Sequence, residues 1–251
     1  MLIRDNIYAV LGLAHPIGVN AGFVVSSHGV IVIDCGLTLN SALTIYSYIK
    51  AVSGDVPIKY LVYTEHHSDH IFGAKVFKEH GAKIISHTKT KEFLLTEGKD
   101  YVSFIVNREN SYETRQKFIA MGYDFGRSFV GDVKVILPDI LLEKETKMNC
   151  GDTEFIIIPT PGHLDGCLSI YFPKAKVLFA GDTIYAGFPP TTQFGNIELW
   201  EKWVGSLNYL MTFDIETIIP GHGYLCGKEE IKKNLDYIER FTAQSHSPNT
   251  Y

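Results

Sequence analysis

The chain has 251 residues, of which 45% are hydrophobic and 20% charged, enough apolar content over enough length to bury a large core. A formal charge of −5 leaves no basic footprint for nucleic acid, and no apolar run approaches the roughly 18 residues that a membrane span requires. The opening Met1-Leu2-Ile3-Arg4-Asp5-Asn6 lacks the basic-then-apolar pattern of a secretory signal, so a cytoplasmic protein with a small-molecule substrate, and neither nucleic-acid nor membrane partners, is the expectation.

In chain order, Gly22 to Val25 and Val30 to Asp34 read as a hairpin about Ser26-Ser27-His28-Gly29. Leu39 to Val52 sets Leu43, Ile45, Tyr46 and Ile49 at helical spacing, with Gly54 just past the end. Ile58 to Tyr63 is a strand, Ile71 to His80 a helix and Ala82 to Ile85 the next strand. Residues 88–135 hold a helical run (Thr88 to Gly98), a mixed run (Tyr101 to Ile105), a charged helix-compatible run (Glu109 to Met121) and the glycine-rich, aromatic Gly122 to Phe129. They read either as a surface excursion or as a lid or specificity insertion over a site. Phe188 to Phe194 is a second candidate wall. Trp200 to Phe213 and Lys228 to Phe241 read as helices, and the polar tail after Ala243 as frayed.

The chemistry concentrates between the strand ending at Tyr63 and the helix starting at Ile71. Thr64-Glu65-His66-His67-Ser68-Asp69-His70 packs imidazoles and carboxylates together, the ligand types a divalent metal takes. Read as extended chain, Glu65, His67 and Asp69 share one face, and His66 and Ser68 point away, with His66 a packing or surface residue. Three further apolar runs each end in a Pro- or Gly-rich turn carrying one ligand type: His163 after Phe155 to Ile158, Asp182 after Lys176 to Ala180, and His222 after Thr217 to Ile219. Any one of these alone reads equally as a loop residue or a cap; the set in this order does not. Asp34, at the end of its strand, is either a turn residue or an acceptor that orients a ligand histidine. Cys35, Cys150, Cys167 and Cys226 contain no Cys-x-x-Cys pair and read as buried fillers or redox-sensitive neighbours.

With Glu65-x-His67-x-Asp69-His70, then His163, Asp182 and His222, the chain resembles the metallo-β-lactamase-fold hydrolase superfamily, whose signature is His-x-His-x-Asp-His followed by His, Asp and His. Asn20 to Val25 and Val30 to Gly36 look like that family's opening hairpin. The resemblance implies an α/β fold, a four-layer αβ/βα sandwich of two mixed β-sheets with outer helices, as a single domain over 1–251. It implies one metal site of Glu65, His67 and His163 and a second of Asp69, His70 and His222, bridged by Asp182. The departure is Glu65, where the family has His. Glu65 binds metal directly, binds through water, or leaves the first site weakly filled. Its charge makes the centre formally neutral where His would leave it positive, and shifts preference from zinc, the first expectation, towards manganese or iron.

The mechanism the resemblance implies is attack by a metal-bound hydroxide on an ester, lactone, thioester or amide carbonyl. Asp69 orients the nucleophile and shuttles its proton, and Tyr185 and Tyr224 are candidates for assisting an oxyanion or leaving group. Phosphodiester hydrolysis is the second reading. A mononuclear iron dioxygenase acting on persulfides would need only His67, His163 and Asp182, and a non-catalytic metal-binding role is the third class. Oligomeric state is not readable from the sequence.

Overall fold

A computed structural model of the chain describes residues 1–123, 129–131 and 133–246. The first sheet is built on β1 (Leu2–Arg4), β2 (Ile7–Leu13), β3 (Val19–Ser26) and β4 (Gly29–Ile33). It continues through β5 (Ile58–Val62), β6 (Lys83–His87) and β7 (Ile140–Leu142). Its pairing is antiparallel from β1 to β4 and parallel from β4 to β7. The second holds β8 (Thr146–Cys150), β9 (Thr153–Pro159), β10 (Leu168–Phe172), β11 (Val177–Ala186) and β12 (Thr217–Gly223), antiparallel except for β11 with β12. One pairing, His222 with Val19, joins the sheets at their β12 and β3 edges.

Strand alternation explains the layering. Ile31 and Ile33 of β4 point into the gap between the sheets, where they meet Phe155, Ile157, Ile170 and Phe179. Val30 and Val32, one residue out of phase, face Ile45 and Ile49 of α1 (Leu39–Ser53). β4 is therefore buried on both sides, and its sequence is apolar throughout. Behind the second sheet, Leu178 and Ile218 pack on Trp203 and Leu207 of α7 (Ile197–Leu210) and on Ile231 and Ile238 of α8 (Lys228–His246). The result is helix, sheet, sheet, helix, as expected. Each fully buried large apolar side chain contributes about 1.5–3 kcal/mol.

Several boundaries differ from the sequence reading. β5 stops at Val62, and Ser68–Ile71 is a short helix, α2, in place of extended chain. Successive helical residues are about 100° apart rather than on opposite faces, so neighbouring Asp69 and His70 can serve one site. The expected helix from Ile71 to His80 is broken at Gly73, and α3 covers Ala74–Glu79. A Cβ on Gly73 would lie 2.2 Å from the carbonyl oxygen of Cys35, so the chain turns where only glycine fits. Tyr101 to Ile105 is helical, between α4 (Thr88–Thr96) and α6 (Tyr112–Ala120), within α5 (Gly98–Glu109). Asp182 and His222 lie inside β11 and β12, not in turns after them; the register slips about Gly181, a bulge that redirects the Asp182 side chain. α8 runs on to His246, past the expected onset of fraying, and the last five residues are outside the described part, as is most of Gly122 to Phe129. Among the described residues no helix is long and apolar enough to cross a membrane.

Candidate metal centre

The seven ligand-type residues singled out by sequence converge just past the end of β5, beside the middle of β11 and the last residues of β12. They fall into two groups, Glu65, His67, His163 and Asp182, and Asp69, His70 and His222, each with ligand atoms within 4.8 Å of one another. In the first group Glu65 Oε2 is 2.9 Å from His67 Nδ1, and Glu65 Oε1 is 3.7 Å from His163 Nε2. In the second, His222 Nε2 is 3.1 Å from Asp69 Oδ2. Asp182 stands between them: Oδ2 is 3.6 Å from His163 Nε2, and Oδ1 is 3.2 Å from His70 Nε2 and 3.5 Å from His222 Nε2.

Surrounding contacts fix these side chains. Asp34, in a left-handed backbone conformation (φ 56°), accepts the Thr64 N–H at 2.8 Å and the Thr64 hydroxyl at 2.7 Å, and its Oδ2 lies 2.8 Å from His70 Nδ1. That pairing turns Nε2 of His70 towards Asp182. His163 Nδ1 lies 3.0 Å from the Thr191 carbonyl, which leaves Nε2 facing Glu65, and Trp203 packs against Gly162 and the His163 ring. Tyr185 donates its hydroxyl to Asp182 Oδ2 at 2.5 Å and stacks on His222. The Asn20 amide donates to the carbonyls of Pro220 and Gly223, holding the strand end that carries His222. Asn234 pairs with both backbone groups of Tyr185.

The buried atoms are short of partners in a telling place. Both carboxylate oxygens of Glu65, His70 Nε2 and Asp182 Oδ1 are buried without a hydrogen bond. Close approach at ion-pair distance does not supply hydrogen-bond geometry, and orphaned buried polar atoms are costly. Glu65 Oε1 and Asp182 Oδ1 lie 3.4 and 3.2 Å from His70 Nε2, across the boundary between the two groups, and Glu65 Oε2 faces His67. Burial alone would raise Asp182, but His222 and His70 outweigh it and hold the carboxyl well below its usual value. Burial would likewise lower His222, but Asp182 and Asp69 overcome it and hold its pKa up at about 9. A field that retains protons on buried imidazoles also favours a cation among them. Carboxylate and imidazole donors suit zinc, manganese or iron, so the residues present fit a divalent metal.

The groups form the floor of a cavity of about 840 Å³. One wall is Phe93, Tyr101, Phe104 and Ile105 of α4 and α5, from the 88–135 segment; the other is Thr191, Gln193 and Phe194. His66 does not simply face away. It stacks on Phe93 with centroids 3.8 Å apart and lines the cavity, and burial holds its pKa down to about 3. Tyr224 is 52% exposed and lines a separate shallow cleft with Phe188 and Tyr237. Cys35 and Cys167 are buried and Cys226 is partly buried. The sequence reading missed Asn20, Tyr101, Thr191 and Asn234. Thr191 acts through a backbone carbonyl and carries no side-chain signal; the buried asparagines and Tyr101 are single polar residues without motif spacing.

The chain is 23% identical over 210 residues to the alpha subunit of 2,4-dinitroanisole O-demethylase from Nocardioides sp. (strain JS1661), covering 83% of this chain and 53% of that one. It is 27% identical over 226 residues to the acyl-coenzyme A thioesterase MBLAC2 of Gallus gallus, covering 84% of this chain and 75% of that one. The first comparison thus spans about half of its relative. In structure the chain is similar to a metallo-beta-lactamase from Pontibacter korlensis, with a TM-score of 0.68 at 16% identity over 95% of this chain and 97% of the other. The profile of the metallo-beta-lactamase superfamily matches residues 15–222, and with the fold and the converging ligand groups in place, the chain belongs to that superfamily.

Proposed function

We propose that the protein is a metal-dependent hydrolase with a two-metal centre, Glu65, His67 and His163 holding one ion, Asp69, His70 and His222 the other, and Asp182 shared. The observation that carries this is the set of orphaned buried atoms on Glu65, His70 and Asp182, lying just beneath an open cavity that Asp182 itself lines. Zinc is the first candidate, with manganese or iron favoured by the extra carboxylate of Glu65. A divalent ion bound there supplies Lewis acidity and a nucleophilic water at neutral pH. The chain's own residues do the rest. Asp69 sits beside the cavity, where its carboxylate orients the attacking water and takes its proton. Asp34 and Thr191 hold His70 and His163 in the ring orientations described. Tyr185 restrains Asp182 and is placed to steady it rather than to reach across the cavity.

The reaction class we assign is hydrolysis of an ester, lactone, thioester or amide. The thioesterase among the relatives supports an acyl substrate, and a formally neutral centre gives less help to an anionic phosphodiester than a positive one would. The segment around 88–135 acts as the specificity element within a single domain. The test is metal analysis of the purified protein with an ester, lactone and phosphodiester panel, on wild type and Asp69→Asn. About two zinc or manganese ions per chain, with acyl-ester turnover lost in Asp69→Asn, is the expected result. About one iron per chain with oxygen uptake would replace the hydrolase reading with the oxygenase one.

A further inference from the structure

The cavity is chemically two-sided. Its outer wall carries Phe93, Tyr101, Phe104, Ile105, Leu164 and Phe194. Phe104 is 58% exposed, a large aromatic left to solvent at the edge of a cavity. Away from the metal groups the cavity's acidic residues are Glu97 and Asp100. Arg108 is the only Lys or Arg among the described lining residues. Its guanidinium is partly engaged: Nη2 and Nε lie 2.5 and 2.7 Å from Glu109 Oε1, and the group sits over the Phe104 ring at 5.6 Å. The Ser68 amide, at the start of α2, is taken by the Tyr101 hydroxyl. Phosphate, sulfate and carboxylate groups are recognised best by free guanidinium forks and helix-terminal amides, and the Arg108 fork and the Ser68 amide are both engaged within the chain.

We propose that this cavity takes uncharged acyl esters or lactones with an apolar chain, Phe104 and its neighbours holding the chain while Glu97 and Asp100 disfavour chains that end in an anion. The proposal rests on the hydrolase reading for its reaction but on the cavity walls for its selectivity. Hydrolysis adds water across the acyl C–O bond: the acyl carbon gains oxygen as the free acid, and the leaving oxygen takes the proton.

The test compares the metal-loaded enzyme on p-nitrophenyl hexanoate and on mono-p-nitrophenyl adipate, which share chain length and differ in a terminal carboxylate. From acetate to hexanoate, kcat/KM is expected to rise about fourfold per methylene, as burial of each predicts, and Phe104→Ala to flatten that rise. Hexanoate should exceed adipate by roughly tenfold, and Glu97→Gln with Asp100→Asn should narrow the ratio about threefold, the scale of solvent-screened charges. Adipate equal to or better than hexanoate, or a ratio that the double variant leaves unchanged, overturns the proposal. Should no ester turn over, the hydrolase reading fails by itself, and displacement of bound Nile red by methyl octanoate against monomethyl suberate decides the cavity. Stronger displacement by the neutral ester, weakened by Phe104→Ala, supports the selectivity; equal displacement overturns it.

Discussion

The hydroxyl of Tyr101, on α5, accepts the backbone N–H of Ser68 at 3.0 Å. The cavity wall is thereby tied to the segment that carries His67, Asp69 and His70, and the stacking of His66 on Phe93 is a second tie between the same pieces. Tyr101→Phe keeps the ring contacts with Phe72 and Phe93 and removes only the acceptor. It is expected to weaken metal binding about tenfold, in the range for groups that orient ligands, and to lower kcat with little change in KM. Chelator competition and steady-state kinetics check this; unchanged metal affinity with a raised KM would make Tyr101 a wall residue only.

Tyr101 also sets a pH dependence. Burial pushes its pKa up to about 12, from an ordinary value near 10. Between those values the folded chain keeps a proton that the unfolded chain has released, so stability falls as pH rises through about 10 to 12. Tyr101→Phe should show a shallower loss over that window, by up to about 2 kcal/mol in denaturant titrations. Identical slopes for the two proteins would show that the phenol is not held neutral.

Asp34 supports two elements at once. Its carboxylate engages Thr64, next to Glu65, and the His70 ring. Asp34→Asn tolerates the left-handed backbone but removes the charge opposite His70, and is expected to cost 10- to 100-fold in metal affinity, roughly the usual range for such groups. Asp34→Ala also strands the Thr64 N–H and hydroxyl in the interior, at about 1–3 kcal/mol per orphaned group, so its melting temperature should fall further than that of Asp34→Asn. Equal losses from the two variants would refute the division of roles.

Much of this was readable before the structure, for identifiable reasons. The doubly buried β4 announces itself as Val30-Ile31-Val32-Ile33, and α1 by the spacing of Ile45 and Ile49. The ligand types drew together Glu65, His67, Asp69, His70, His163, Asp182 and His222, which do converge. Backbone detail was not readable. The alternation of Glu65, His67 and Asp69 fits extended chain, and nothing in it signals the short turn of α2 that begins at Ser68. The bulge at Gly181 depends on a pairing with β12 made across tens of residues. β10, Leu168–Phe172, is a short apolar run that leads into Pro173 without a ligand-type residue, and went unread.

Gly221 illustrates a close approach that composition hides. A Cβ there would lie 1.9 Å from Asp182 Oδ1 and 2.7 Å from the Gly181 carbonyl carbon. The shared carboxylate and the β11 backbone at Gly181 and Asp182 must both yield. Gly221→Ala is therefore expected to displace Asp182, with loss of metal from both groups and of most activity, while the cores on either side of the sheets stay packed. Metal content and the near-UV dichroism spectrum, measured together, check it: native-like dichroism with metal lost supports the steric reading, whereas full metal content shows that Asp182 can move without consequence.

Glu65 is the departure from the family signature, and its position makes the consequence measurable. The side chain is fully buried, with both oxygens lacking hydrogen bonds, and its nearest cationic or polar neighbours are His67, His70 and His163. Burial alone would raise its pKa, but His67, His163 and His70 outweigh this and keep it lowered, so the group is held as a carboxylate. An anion kept in the interior at the cost of desolvation fits direct ligation better than support through water. Glu65→Gln preserves volume and removes the charge. It is expected to lower metal content from about two to about one per chain, because the second group draws its ligands from Asp69, His70 and His222. In wild type the Asp69, His70 and His222 group is expected to bind more tightly, and stepwise chelator titration should show two separated affinities. A single affinity for both ions, or a Glu65→Gln protein that still holds both, would show that the carboxylate is not a working ligand.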